Sequence, residues 1–94
     1  MKITDITYSK FAEKQLLKLP KQIYESLLAW ESLVTEVGIY EARKIKGYHD
    51  EPLKGDRTGQ RSIRLNRSYR AIYEITETGS IVLITIMEIN KHDY

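Results

Sequence analysis

The sequence predicts an α+β domain in which a small antiparallel β-sheet carries an N-terminal two-helix hairpin on one face. Three observations predict it. Apolar residues recur at helical spacing over residues 21–37, alternation of period two begins at residue 61, and residues 80–89 are apolar on both faces, as in a central strand. At 94 residues the chain is expected to be one domain, 1–94, with a modest core and little stability to spare.

The element order reads β-α-α-β-β-β. Residues 2–8, KITDITY, alternate loosely and predict a first strand. Ser9 is placed to cap a short helix that carries Phe11, Leu16 and Leu17 and runs through Leu19, where Pro20 ends it. A second helix is predicted from about Lys21 to Val37, with Ile23, Leu27, Trp30 and Val34 on one stripe and Gly38 as its terminator. From Ile39 to Gln60 the pattern dissolves into glycines, Pro52 and charges, which predicts a long loop with at most a short turn of helix or strand. RSIRL (61–65) and YRAIYEI (69–75) then alternate, TETG (76–79) reads as a turn, and SIVLITIMEI (80–89) as the central strand.

Cysteine is absent, which removes disulfides, thiolate metal sites and cysteine nucleophiles from consideration. No HExxH motif, carboxylate pair or phosphate-cradling glycine fingerprint occurs, so no metal or other cofactor is expected. The start MKITDITYSK lacks the apolar core of a signal peptide, and no apolar run approaches the ~20 residues that span a bilayer; a cytoplasmic protein without membrane contact is expected.

Charge is the informative quantity. Residues 1–40 hold five Lys against five acids, residues 41–70 nine Lys or Arg against four, and residues 71–94 one Lys against four, giving local net charges of 0, +5 and −3. The basic block predicts a local anion-binding surface. If the strands at 61–65 and 69–75 pair through Asn66, Arg67 and Ser68, Leu65 faces Tyr69, Ile63 faces Ala71 beneath the helices, and Arg64 stands opposite Arg70 on the other face. Directly opposed like charges are destabilising, and a bound polyanion would turn that repulsion into a charge-assisted site. Solvation alone accounts for many exposed arginines, and Glu74, on the same face as Arg70, is a candidate neutraliser.

The C-terminal NKHDY (90–94) follows the central strand. Lys91, His92 and Tyr94 supply a cation, a group titrating near neutrality and a phenol. Cleavage of RNA by its own 2′-OH needs a base, a cation at the phosphate and an acid at the leaving 5′-oxygen, and this set supplies those types.

The run PLKGDRTGQRSIRLNRSYRAIYEI (52–75), followed by an apolar strand and terminal NKHDY, resembles the RelE/ParE superfamily of type II toxin–antitoxin toxins, with the LKGDR core most like the HigB branch. The resemblance spans essentially the whole chain and implies a RelE-like fold. It further implies a ribosome-dependent endoribonuclease, an mRNA interferase that cuts the codon in the ribosomal A site. It assigns catalysis to Arg64 and Arg70 as phosphate stabilisers, His92 as the acid/base candidate and Tyr94 as a stacking residue or auxiliary acid/base. Lys54, Arg57, Arg61, Arg67 and Lys91 fall to RNA binding. The partners it implies are a cognate antitoxin, the 70S ribosome and mRNA. This chain ends His-Asp-Tyr where HigB-like chains often end Asp-Tyr-His, and it has Glu51 where they tend to place a histidine, with His49 two residues away. The alternative within the superfamily is a ParE-like DNA gyrase inhibitor without nuclease activity.

Overall fold

The computed structural model describes residues 2–91, so His92 and Tyr94 lie outside the described residues. The chain runs β1 (Ile3–Tyr8), α1 (Lys10–Leu16), α2 (Lys21–Val37), α3 (Ile39–Ala42), β2 (Glu51–Pro52), β3 (Gln60–Arg64), β4 (Tyr69–Thr78) and β5 (Ile81–Lys91). Single 3-10 turns at Lys46–Tyr48 and Gly55–Arg57 flank β2. The segment expected as a long loop is thus broken into short hydrogen-bonded pieces.

The strands form one sheet in the order β1-β5-β4-β3-β2. Strands β2 to β5 pair antiparallel, as expected, but β1 runs parallel to β5, so the sheet is mixed rather than antiparallel throughout. The reason is visible where β1 ends. β1 pairs with β5 from Ile3↔Ile81 to Tyr8↔Ile86, leaving the remainder of the longer strand without a neighbour on that side. Helix α1 takes over as the neighbour: the Ser9 N–H donates to Ile86 C=O at 2.9 Å, the Ser9 hydroxyl donates to Met87 C=O at 2.8 Å, and Gln15 Oε1 accepts from Ile89 N–H at 2.6 Å. Only a parallel β1 delivers its following helix to that end of β5.

The same region carries a β-bulge. The β4–β5 register passes from Ile72↔Glu88 to Tyr73↔Ile86, so Met87 is the extra residue. Its effect is to switch parity: Val82, Ile84 and Ile86 face the helices before the bulge and Ile89 after it. Glu88 and Asn90 thereby join the open face.

Ser9 caps α1 as expected, its Oγ accepting from Ala12 N–H at 3.0 Å. The helix stops at Leu16, short of Leu19, because Pro20 forces the residue before it toward extended geometry and the last turn tightens to i→i+3 bonds from Lys18 and Leu19. Helix α2 has the expected bounds and ends at Gly38, whose φ of +85° suits glycine. Its stripe of Ile23, Leu27, Trp30 and Val34 is buried against the inner sheet face of Ile63, Ala71, Tyr73 and Ile84. The expected TETG turn is shorter than its sequence suggested: Thr76 and Thr78, good strand formers, extend β4, and Gly79 (φ +57°) with Ser80 alone makes the reversal.

Ser9→Ala removes a helix cap and the tie to the bulged backbone in one change. We expect a loss of about 1–2 kcal/mol in urea-unfolding stability, against well under 0.5 for an exposed control such as Lys10→Ala.

Candidate nucleic-acid interface

The β3–β4 register is the one the alternation predicts. Arg64 stands opposite Arg70, Ile63 opposite Ala71, and the Leu65 N–H donates to Tyr69 C=O at 2.9 Å. The turn between them is an Asx turn, with Asn66 Oδ1 accepting from Ser68 N–H at 2.7 Å and Tyr69 N–H at 2.8 Å. The burial of Ile63, Leu65 and Ala71 determines which face the arginines take, because a slip of one residue would exchange the faces.

Three rows of side chains cross the open face. Arg64, Arg70 and Asn90 form the first, Ser62, Ile72 and Glu88 the second, and Gln60, Glu74 and Thr85 the third. Glu51, across β2–β3 from Ser62, extends the second row. Arg70 Nη1 lies 3.5 Å from Ser62 Oγ, a long contact that links the first two rows. Arg57 reaches over this surface from the turn before β3: its Nη1 donates to Gln60 Oε1 at 3.0 Å and its Nη2 to Glu88 on β5. Arg57 is therefore brought to the Arg64–Arg70 face. Among the described residues, the acid seen ion-paired on this face is Glu88, with Arg57, and not Glu74. The signal for Glu88 in the sequence is a lone acid inside a strand that is otherwise mostly apolar.

Arg61 sits elsewhere. Its parity points it to the helix side, where its Nε donates to Asp50 Oδ1 at 2.5 Å while the hydroxyl of Tyr73 donates to Asp50 Oδ2. The Asp50 side chain is 1% exposed and Tyr73 is fully buried. Burial disfavours the Arg61 charge, but the hydrogen bond and charge of Asp50 outweigh it and raise the pKa. Burial, then Asp50, pushes the Tyr73 phenol well above its ordinary range. Expected as an RNA contact, Arg61 is thus committed to an internal network on the face opposite Arg64 and Arg70. Asp50 is the residue that sequence reasoning missed, since a loop Asp beside His49 carries no mark of burial.

Lys54, Arg67 and Lys91 are exposed at the margins: Lys54 ahead of the second 3-10 turn, Arg67 at the β3–β4 turn, and Lys91 opposite Tyr69 at the end of β5. His49 is exposed in the left-handed region (φ +46°). A groove at the far sheet edge, between β1 and α2, is lined by Asp5, Glu31 and Glu36 and has the wrong sign for an anion. Burial raises the Glu31 pKa there, partly offset by a hydrogen bond from Tyr8. No helix among the described residues is long and apolar enough to cross a membrane.

No protein-family model and no curated protein matches the chain. Solved structures do. The YoeB/ParE toxin from Agrobacterium tumefaciens superposes with a TM-score of 0.72 at 17% identity, covering 99% of this chain and 100% of that one. A chain of the archaeal RelE–RelB complex from Pyrococcus horikoshii OT3 gives 0.70 at 24% identity, covering 95% and 94%. A chain of the E. coli DinJ–YafQ toxin–antitoxin complex gives 0.70 at 22% identity, covering 96% and 93%. The fold is that of the RelE/ParE-type toxins, as the resemblance implied.

Asp50→Ala takes the carboxylate partner from the partly buried Arg61 and from the buried Tyr73 hydroxyl, and is expected to cost about 1–3 kcal/mol in chemical unfolding. Tyr73 also predicts a pH dependence. A phenol whose pKa is raised by folding contributes stability that is fully present below its unfolded pKa of 10.0 and is lost as pH rises beyond it. The urea midpoint should therefore fall above about pH 10, and less steeply in Tyr73→Phe.

Proposed function

We propose that the chain is the toxin of a type II toxin–antitoxin system, an endoribonuclease that cuts mRNA in the ribosomal A site by 2′-OH attack. The observation that carries this reading is the direct opposition of Arg64 and Arg70 on the open sheet face, with Arg57 reaching onto the same face. Such a pair stabilises a phosphate whose charge grows in the transition state, because guanidinium forks match phosphate oxygens and lie in place before reaction. The toxin fold of the solved relatives supports it.

In this mechanism Arg64 and Arg70 hold the scissile phosphate. His92, the next residue after Lys91, is the acid/base group, and Tyr94 stacks on a base or assists proton transfer. Lys54 and Arg67, both exposed, and Lys91 at the exposed end of β5, opposite Tyr69, are assigned to gripping the message and the ribosomal RNA through phosphates. Ribosome dependence follows from an open site: the message must be held in place from outside for in-line attack. The partner that silences the toxin is a cognate antitoxin with an acidic segment covering the basic face, in keeping with the RelE–RelB and DinJ–YafQ complexes of the fold relatives.

The test is primer extension on a defined message, with the purified protein added to ribosomes stalled with an empty A site and, separately, to the message alone. Cuts at the A-site codon are expected only with ribosomes, and Arg70→Ala or Arg64→Ala should slow them about 10²–10³-fold. Growth arrest without cuts would overturn the nuclease and favour the ParE-like reading, checked by inhibition of gyrase supercoiling.

A further inference from the structure

Arg57 and Glu88 form an ion pair across the open face of the sheet. Arg57 starts from the turn before β3 and Glu88 lies on β5, so the pair spans β3 and β4, roughly 10 Å at the usual strand spacing. Ile72 lies in the row that the pair crosses, and although it faces outward it is only 7% exposed. The bridge runs beside the Arg64–Arg70–Asn90 row, one strand repeat away.

The two partners are unequally accessible. The Glu88 side chain is 18% exposed and the Arg57 side chain 44%. A partly desolvated carboxylate is costly unless a cation is paired with it, so Glu88 depends on Arg57. Arg57 remains open to solvent, and its fork is held toward the face by Gln60 at 3.0 Å. A phosphodiester carries the same single charge as a carboxylate and accepts from the same guanidinium geometry. A phosphate that takes Arg57 leaves Glu88 without its cation, a cost that the other contacts of the RNA must offset.

We propose that Glu88 is a resident carboxylate occupying a second phosphate-binding position at Arg57, which a backbone phosphate of single-stranded RNA takes over on binding. The inference rests on the reading of this face as an RNA site. It makes Glu88 a specificity-determining residue. RNA must displace an internal anion before it gains Arg57, so RNA that offers only one or two phosphates is held weakly. A message presented with further contacts overcomes the competition.

The experiment measures binding of a short fluorescein-labelled single-stranded RNA to the full chain by anisotropy over a range of salt. Glu88→Gln should tighten binding about 3- to 10-fold and steepen the log K against log salt slope by about 0.7, the value for one added phosphate contact. In an Arg57→Gln background the same change should bring a much smaller gain. An equal gain in both backgrounds, which would mark a general charge effect, overturns the proposal, as does no gain at all. Arg64→Ala/Arg70→Ala tests the underlying reading separately: undiminished binding there rejects the RNA face itself, whatever Glu88 does. In the unsubstituted chain, the Glu88 carboxyl carbon resonance should move as RNA is added. A resonance unmoved at saturation overturns the exchange.

Discussion

Tyr73 is fully buried, and its two ends hold different parts of the molecule. Its ring packs on Trp30 of α2 with centroids 5.3 Å apart at 48°, and its hydroxyl donates to the buried carboxylate of Asp50, which Arg61 also engages. One side chain thus ties the helix layer to β4 and ties the approach to β2 onto the sheet. Because strand side chains alternate, anchoring Tyr73 inward obliges Arg70, three positions earlier, to face outward. The arginine pair on the open face is therefore a consequence of what the closed face buries.

The two faces handle charge in opposite ways. On the inner side the partly buried Arg61 and the buried Tyr73 both donate to the enclosed carboxylate of Asp50, which serves structure. On the outer side the cations are half exposed and crowd one another, and β5 contributes a single paired acid. Opposed like charges oppose folding. The opposition of Arg64 and Arg70 is what motivates the proposed anion site, and on the same face Arg57 is paired with Glu88.

Much of this was legible in the residue order. The α2 bounds, the Ser9 cap and the Arg64–Arg70 register follow from periodicities of 3.6 and 2, from a capping residue and from turn chemistry, all of which act over a few neighbouring residues. The face to which Arg61 belongs was legible too, since it shares parity with Ile63. The parallel edge strand was not legible, because β1 and β5 are separated by most of the chain and either orientation satisfies the same alternation.

Residue order establishes the local grammar: which segments are helix or strand, and that the positive charge gathers between residues 41 and 70. Tertiary structure alone decided which charges meet. Asp50 reaches Arg61 and Tyr73 across gaps of 11 and 23 residues, and Glu88 reaches Arg57 across 31, the latter only because the Met87 bulge turns Glu88 onto the open face. Ion pairing depends on distance in space, and in a sheet that distance is set by strand order and register, which no short window of sequence contains.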